Sequence, residues 1–269
     1  MAEIRVGISG CGGRMGRMLI AEVEGTDGCR VGGGIDAKNS AAIGQDLGAL
    51  AGFGPLGVTA GDDIAALLGA CDVVIDFSAP AASAANAAAA ARARKPLVVG
   101  TTGLEAQHEA ALKEAARAAP IVWAANMSLG VNLVIGLVRQ VAATLGDDYD
   151  IEILEMHHRT KVDAPSGTAL ALGRAAAEGR QVDFTANALR VRDGITGVRP
   201  KGAIGFASLR GGDVVGEHVV IFAAEGERIE LTHRAASRKI FARGAVRAAR
   251  WAVGQPPGLY GMQDVLGLG

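Results

Sequence analysis

The sequence contains few cysteines and almost no net charge, and each of these absences excludes a class of protein. Its 269 residues include only Cys11, Cys29 and Cys71, whose spacing does not suggest pairing. This excludes a disulfide scaffold and indicates a reducing compartment. The 27 Lys and Arg residues and 28 Asp and Glu residues leave a net charge of −1. Such a chain has no global attraction for nucleic acid or an acidic membrane, so any functional positive charge must be local.

Long uninterrupted apolar runs are also expected to be absent. No stretch is predicted to be apolar enough to span a bilayer, and polar residues interrupt the alanine-rich tract 81–93. The N-terminus enters a strand pattern at once and lacks a signal-peptide layout. We therefore expect no membrane partner and a cytoplasmic location. The 49% hydrophobic content still allows a substantial core.

The order of apolar segments predicts an α/β fold. In the first half, short apolar runs at 4–9, 29–36, 72–78, 96–103 and 121–128 alternate with helical stretches. This alternation is typical of a parallel sheet covered by helices. After Asn126 the pattern changes to a long apolar helix at 129–146, a strand at 149–158 and glycine-punctuated strands beyond residue 190. It predicts a second, α+β domain with an open or mixed sheet, including a hairpin that turns at Gly226.

A glycine-rich segment directly after the first strand predicts a dinucleotide site. Gly10, Gly13 and Gly16 give the spacing GxxGxxG, and Asp36 follows Gly16 by 20 residues at the end of the second strand. Backbone N–H groups at such a helix start can bind a pyrophosphate, and the acidic residue can accept from the adenosine ribose. Alternatively, the glycines would form only a tight turn between strand and helix, and Asp36 would be a turn or capping residue.

Residues after Asp36 bear on the choice between NADH and NADPH. A 2′-phosphate needs a cation at this edge, and Ala37 provides none, so only Lys38 is available. NADH is therefore favoured, with NADPH possible if Lys38 turns across the ribose. Thr101, Thr102 and Asn126 follow later strands and offer hydrogen bonds to a ribose or carboxamide, although turn and cap roles would also explain them.

The segment HHRTKVDAPSGTAL, residues 157–170, concentrates positive charge beside a predicted helix start. Ser166 is the expected N-cap, so Gly167 and Thr168 begin the helix and present its positive end to an anion. A solvated loop explains the two histidines and Lys161 poorly. A metal site is disfavoured, because adjacent strand residues point to opposite faces and no further ligands follow at a suitable spacing. The combination predicts a carboxylate receptor with a histidine as proton donor and Lys161 beside it.

Several motifs together resemble one family. HHRTKVDAPSGTAL, GCGGRMG, DFSAP, GTTG, AANMSLGVN and IGFASLRGGDVVGEH are similar to segments of the dihydrodipicolinate reductases, from the first strand to GMQDVLGL at the C-terminus. The resemblance implies reduction of 4-hydroxy-tetrahydrodipicolinate with NADH or NADPH in lysine and diaminopimelate biosynthesis. It also implies a Rossmann-type domain from residues 1–126 and 236–269, a substrate-binding and oligomerisation domain from 127–235, and a homotetramer.

The resemblance assigns roles to individual residues. It implies that His157 is the catalytic histidine and that Lys161 donates a proton. Substrate binding is implied for His158, Lys161, Ser166, Gly167 and Thr168. Cofactor contacts are implied for Gly10, Cys11, Gly12, Gly13, Arg14, Met15, Asp36, Ala37, Lys38, Gly100, Thr101, Thr102, Ala124, Ala125, Asn126 and Met127. Some members carry arginine where this chain has Ala37, which puts strong use of NADPH in doubt.

Two other functions remain open at this stage. One is a different two-domain dehydrogenase, acting on an aldehyde or a hydroxy acid. A phosphorylating semialdehyde dehydrogenase would need a nucleophilic cysteine near the second domain, and all three cysteines precede residue 72. The other is a sensor that binds NAD(H) without catalysis. Turnover distinguishes a sensor from a reductase, because a sensor would bind NADH but not oxidise it in the presence of the dicarboxylate.

Overall fold

The computed structural model describes residues 3–268, whose contacts divide them into two compact units. The boundaries fall after Leu129 and before Lys239, so the second unit is Gly130–Arg238 and the first unit contains both flanking segments. The elements in chain order are β1 (Ile4–Ser9), α1 (Arg14–Glu24), β2 (Cys29–Ile35), α2 (Leu47–Ala51), β3 (Ala60–Gly61), α3 (Ile64–Ala70), β4 (Val73–Asp76), α4 (Pro80–Ala93), β5 (Leu97–Val99), α5 (Ala106–Ala115), β6 (Pro120–Trp123), α6 (Leu129–Leu145), β7 (Asp150–His157), α7 (Gly167–Arg180), α8 (Phe184–Asn187), β8 (Ala188–Leu189), β9 (Ile204–Arg210), β10 (Gly216–Ala224), β11 (Glu227–Ala235), α9 (Lys239–Ala252), β12 (Gly258–Tyr260) and α10 (Met262–Leu266).

The first unit is built on a seven-stranded parallel sheet in the order β12-β6-β5-β4-β1-β2-β3. Its central strands are mostly apolar, and in β4 all four residues of VVID, including Asp76, are buried. One core cluster includes buried residues of α1 and α9, and another includes buried residues of α3, α4 and α5. The strand order reverses direction at β1, where doubly wound sheets open a crevice at the carboxyl ends of their strands.

The second unit is built on a five-stranded mixed sheet in the order β11-β10-β7-β9-β8. β10 is antiparallel to both β7 and β11, whereas β9 is parallel to β7 and β8. Gly226, with φ +83°, lies in the turn between β10 and β11 and allows the left-handed conformation of this hairpin. The predicted fold class, a Rossmann-type parallel sheet with a second α+β part containing a mixed sheet, is therefore confirmed.

One prediction about apolar runs is wrong. The segment Leu129–Asp148, which contains α6, is long and apolar enough to cross a membrane by length and composition, with a mean hydropathy of 1.5. Arg139 is its only basic residue, and two acidic residues fall at its end. A core helix can pass the same test, but only 22% of this segment is buried, including Val138 and Ala142 in the core of the second unit.

Candidate active site

The glycine loop joins β1 to α1 in the first unit. Gly10 has φ +82°, and a Cβ at this position would lie 2.4 Å from the carbonyl oxygen of Phe77, so no side chain fits. Gly13 is the N-cap of α1 and has no side chain to bond the first helical amides. These amides are the groups that an anion such as a pyrophosphate satisfies at a helix start. The loop therefore has the backbone that a bound dinucleotide requires.

Asp36 lies at the same edge of the sheet, directly after β2. Its Oδ2 accepts from the amide of Gly12 at 2.8 Å, and its Oδ1 accepts from the amide of Ala37 at 2.7 Å. A cavity of about 460 Å³ opens beside it, and its lining includes Ser9, Gly10, Gly13, Asp36, Ala37, Lys38, Phe77, Ser78 and Asn86. The cavity is thus bordered by the carboxyl ends of β1, β2 and β4, where the glycine motif predicts a nucleotide.

The other predicted cofactor residues of the glycine loop differ in what their side chains can reach. The Cys11 side chain is fully buried, and Met15 packs against the same core, so these side chains support the loop from behind. Arg14 does not line the 460 Å³ cavity, but borders a separate surface cleft together with Arg17, Lys239 and Arg243. Direct contact between the cofactor and this part of the loop would therefore involve mainly the backbone.

The GTTG and AANMS segments lie after β5 and β6, at the carboxyl edge of the same sheet. Gly100 donates its amide to the carbonyl of Asp76, and Thr102 and Ala125 are exposed. Ala124 is half-buried, and Met127 has a buried side chain. The Asn126 Oδ1 accepts from the amide of Ser128 at 2.9 Å. The side-chain oxygen of Asn126 therefore stabilises the turn, which is the alternative role that the sequence left open for this residue.

A buried polar network lies behind the cavity. Thr101 is 5% exposed, and its hydroxyl bonds the hydroxyl of Ser83 at 2.8 Å and the amide of Ser78 at 3.1 Å. Asp76 accepts from the Ser78 hydroxyl at 2.6 Å through Oδ1, but its Oδ2 has no hydrogen-bond partner among residues 3–268. Burial raises the pKa of Asp76, and the hydrogen bond from the Ser78 hydroxyl opposes that rise. Thr101 is consequently a support of the cavity wall rather than an exposed hydrogen-bonding group.

We expect Asp76→Asn to remove a pH-dependent loss of stability. The pKa of Asp76 is raised on folding, so the folded state favours the protonated carboxyl. Its stabilising contribution to the free energy of unfolding is fully present below the ordinary pKa of 3.8 and is lost as pH rises through the raised pKa. The free energy of unfolding of the wild type should therefore fall over that range relative to Asp76→Asn. Urea titrations at several pH values measure the difference.

Asp72→Asn is the matched control for this experiment. Arg5 donates to Asp72 at 2.8 Å and holds the pKa of that carboxyl at about 2. The stabilising contribution of Asp72 is therefore present above the ordinary 3.8 and is lost as pH falls toward 2, the opposite trend. Identical pH dependence of stability for the wild type and Asp76→Asn would contradict the raised pKa.

His157 is the last residue of β7 in the second unit, and its ring is held by a buried carboxylate. Its Nδ1 lies 2.6 Å from Oε2 of Glu155, whose side chain is only 1% exposed. Arg210 donates to both oxygens of Glu155, each at 2.8 Å, and the Ser166 amide donates to Oε1 at 3.2 Å. Burial would raise the pKa of Glu155, but Arg210 and His157 lower it to about 2. Burial also lowers the pKa of His157, and the bond to Glu155 opposes that shift.

Ser166 is the N-cap of α7, as the sequence predicts. Its buried hydroxyl accepts from the amide of Ala169 at 3.1 Å and lies 3.1 Å from Nε2 of His218. His218 is also buried, and its ring packs edge-on against His157 with centroids 5.2 Å apart. Burial, followed by the charge of His157, lowers the pKa of His218 to about 4. The Ser166 side chain is thus engaged inside the protein, whereas Gly167, the first residue of α7, is exposed.

The other predicted substrate residues lie on the loop between β7 and α7. The Lys161 Nζ donates to Asp163 at 2.8 Å, and its amide donates to the His158 carbonyl at 3.1 Å. The His158 Nδ1 lies 2.8 Å from the Thr160 hydroxyl. Thr168 is half-buried in the first turn of α7. The loop and the helix start therefore bring two histidines and a lysine together beside the positive end of α7.

Three residues of this site were not predicted: Glu155, Arg210 and His218. Ile151, Ile153 and Glu155 alternate along β7 and are all buried, so Glu155 is a charged residue on the buried face of its strand. A buried carboxylate of this kind requires a positively charged or hydrogen-bonding partner. The position of Glu155 in the apolar alternation of β7 could therefore have identified it from the sequence. No group of three or more His, Cys, Asp and Glu residues in the described part of the chain could hold a metal ion.

Comparisons with known proteins agree with this organisation. The family described as dihydrodipicolinate reductase, N-terminus, matches residues 4–127, and its C-terminus counterpart matches residues 130–266. The 4-hydroxy-tetrahydrodipicolinate reductases of Methylocella silvestris and Afipia carboxidovorans are 57% and 55% identical over 269 residues, covering 100% of this chain and 99% of each relative.

A solved structure shows the same similarity in three dimensions. The dipicolinate-bound dihydrodipicolinate reductase of Paenisporosarcina sp. TG-14 has a TM-score of 0.78 and 25% identity, covering 97% of this chain and 99% of its own. The resemblance inferred from the sequence motifs is thereby confirmed. The chain belongs to the dihydrodipicolinate reductase family.

Proposed function

We propose that this protein reduces 4-hydroxy-tetrahydrodipicolinate to tetrahydrodipicolinate, with loss of water, in lysine and diaminopimelate biosynthesis. The observation that carries the proposal is that His157, His158 and Lys161 lie on one short segment that leads into the N-terminus of α7, with the charge of Lys161 acting on His157. A cyclic substrate with two carboxylates suits such a site, because both cations and helix N-termini attract carboxylates. Family membership supports the same reaction, and the Paenisporosarcina relative was solved with dipicolinate bound.

In this proposal the first unit binds the dinucleotide, which supplies a hydride when bound. The amides at the start of α1 would hold the pyrophosphate, and Asp36 would accept from the adenosine ribose. Gly100 to Thr102 and Ala124 to Met127 would border the rest of the cofactor at the carboxyl edge of the sheet. The absence of a Cβ at Gly10 and the 460 Å³ cavity both fit this group.

The second unit provides substrate binding and proton transfer. Lys161, His158 and the backbone of Ser166, Gly167 and Thr168 would bind the carboxylates. Hydride addition to the conjugated ring leaves an enamine-like carbon or nitrogen that must take up a proton. The imidazolium form of His157 would deliver this proton from Nε2 and become neutral, with Lys161 assisting. The His157 Nδ1 faces Glu155, so Nε2 is the nitrogen from which His157 would act.

Turnover tests this function against its rivals. Enzymatically generated substrate is mixed with the protein and NADH or NADPH, and the loss of absorbance of the reduced cofactor is followed. Oxidation that depends on the dicarboxylate supports the proposal. Binding of NADH without oxidation would indicate a sensor, and turnover only with an aldehyde or hydroxy acid would indicate a different dehydrogenase.

We further propose that NADH is used at least as well as NADPH. Asp36 borders the cavity with its negative charge, and Ala37 offers no cation for a 2′-phosphate. Lys38 lines the same cavity but would bind a phosphate as a point charge, without the planar fork of an arginine.

Ala37→Arg should shift the ratio of kcat/KM values toward NADPH by about tenfold or more, because one charge-assisted contact contributes roughly 1.5–3 kcal/mol. Kinetics with both cofactors measure the shift, and Lys38→Ala is the control. A wild type that prefers NADPH and loses this preference in Lys38→Ala would show that Lys38 already fills the role of the arginine.

We also propose a cytoplasmic homotetramer that assembles through the second unit. Leu133 and Leu137 of α6 and Ile229 of β11 are large apolar residues with exposures of 45%, 37% and 38%. Exposed apolar groups of this kind favour association between copies of a chain. Light scattering coupled to size exclusion gives the mass, and a monomeric enzyme at full activity would contradict this assembly.

A further inference from the structure

We propose that Glu155 is the positioning residue for His157: it fixes the proton on Nδ1, so that Nε2 is presented to the substrate. Arg210 holds Glu155 in this position and joins it to the loop that carries Lys161. The inference rests on the proposed role of His157 in proton transfer. Glu155 has no direct part in the reaction, since its carboxylate lies on the far side of the imidazole.

The carboxylate of Glu155 has donors on both oxygens. Oε2 accepts a hydrogen bond from Arg210 Nη1 and lies next to His157 Nδ1. Oε1 accepts from Arg210 Nη2 and from the backbone amide of Ser166. These contacts, after offsetting the effect of burial, hold the pKa of Glu155 at about 2. An ionised carboxylate can only accept, so the Nδ1 that lies 2.6 Å away must carry the proton.

The surroundings of the ring favour this single orientation. His218 packs edge-on against His157 at an interplanar angle of 75°. A Cβ at Gly216 would lie 3.0 Å from Nε2 of His157, so the glycine leaves space beside that nitrogen. Rotation of the ring about its long axis would remove the bond between Nδ1 and Glu155 and leave a buried carboxylate with one donor fewer.

Glu155 also sets the charge state of the imidazole. Burial lowers the pKa of His157, and the charges of Lys161 and Arg210 lower it further. Glu155 acts in the opposite direction through its hydrogen bond and its charge. His218, the other titratable ring packed against His157, has a pKa lowered to about 4 and carries little charge near neutral pH. Neutralising Glu155 should therefore lower the pKa of His157.

Arg210 extends the arrangement to the catalytic loop. The same Nη2 that binds Glu155 also donates to the backbone carbonyl of Asp163 at 2.7 Å. Asp163 in turn accepts from Lys161. One guanidinium thus connects the carboxylate behind His157 to the segment that holds Lys161, so the two proposed proton-transfer groups share a support.

The test compares Glu155→Gln with Glu152→Gln. Glu152 lies on the same strand and is also bound by arginines, Arg192 and Arg199, but contacts no histidine in the described residues. Glu155→Gln should lower kcat by on the order of 10- to 10²-fold, because a wrongly held imidazole loses much of its value as an acid or base. The limb of the kcat–pH profile that belongs to His157 should move to lower pH. Glu152→Gln should change neither.

Glu155→Asp provides a conservative comparison, since it keeps the charge on a shorter side chain. It should recover part of kcat and keep the pH limb closer to its original position. A purely structural role for Glu155 would instead lower thermal stability while leaving the pH limb unchanged. That result, or equal kcat for both glutamine variants, would overturn the proposal.

A measurement on the wild type covers the case in which Glu155→Gln does not fold. Nitrogen-15 chemical shifts of labelled histidine distinguish the two neutral tautomers, and we expect His157 with its proton on Nδ1. At a pH where the imidazole is neutral, a proton on Nε2 in place of Nδ1 would overturn the proposal. If His157→Gln itself keeps wild-type kcat, the proposed function of His157 fails. A low kcat in His157→Gln beside a normal kcat in Glu155→Gln refutes only the positioning role.

Discussion

His157→Gln should lower kcat by roughly 10²- to 10⁴-fold while changing KM much less, the usual effect of losing a positioned general acid or base. Glutamine retains a polar end but has no group that can take up and release a proton. The side chain of His157 is only 12% exposed and is held in one orientation by Glu155 and His218, and glutamine cannot reproduce this positioned imidazole. Steady-state kinetics give both parameters.

His158→Gln is the matched control for this change. The neighbouring histidine is half-buried, but its Nδ1 bonds Thr160 instead of a buried carboxylate. We expect His158→Gln to raise KM more than it lowers kcat, because its proposed role is to bind substrate. In the wild type the limb that belongs to His157 should lie below pH 6.5, the ordinary value, since burial lowers its pKa. A near wild-type kcat in His157→Gln would refute the catalytic assignment.

The fold was predictable where its elements are long and apolar. β1 and β4 are buried strands with apolar runs, and the N-cap at Ser166 follows from the preference of short polar side chains for helix starts. The short strands β3, β8 and β12 were not predicted. Strands of two or three residues carry too little periodicity to stand out, and their pairing with longer strands decides that they form.

The candidate site was predictable only as far as its local segment extends. His157, His158, Lys161 and Ser166 share one stretch of sequence, so motif and helix start could be interpreted together. The partners behind His157 come from elsewhere: Arg210 is 55 residues from Glu155, and His218 is 52 residues from Ser166. These contacts depend on the register of β7 with β9 and β10, which no local pattern determines.

The register also explains why a buried charge is tolerated. β7 pairs Glu155 with Ser208 of β9 and with His218 of β10, which places polar residues on both sides of the carboxylate. Arg210, two residues after Ser208 on the same strand, then reaches both of its oxygens. Removal of one partner from such a buried pair costs about 3–5 kcal/mol, so the arrangement constrains the sheet as well as the imidazole.

Lys161→Ala should lower kcat/KM at least tenfold, because loss of a charge-assisted hydrogen bond costs on the order of 1.5–3 kcal/mol. Pyridine-2,6-dicarboxylate is a planar molecule with both carboxylates of the proposed substrate. It should inhibit the wild type competitively and bind more weakly to Lys161→Ala. Inhibition constants from steady-state kinetics measure this change, with Lys201→Ala as the control, an exposed lysine in a different loop of the same unit.

Asp163→Asn tests whether the ammonium charge of Lys161 or the conformation of its loop determines inhibitor binding. Asp163 accepts from Lys161 at 2.8 Å, so a carboxylate of the inhibitor must compete with it for the ammonium group. The lysine also holds the pKa of Asp163 below its ordinary value, which keeps this competitor ionised. With the competing charge removed, Asp163→Asn should bind pyridine-2,6-dicarboxylate at least as tightly as the wild type. Unchanged inhibition in Lys161→Ala would place the anion site elsewhere, whereas weaker inhibition in both variants would mean that loop geometry, and not the ammonium charge, determines binding.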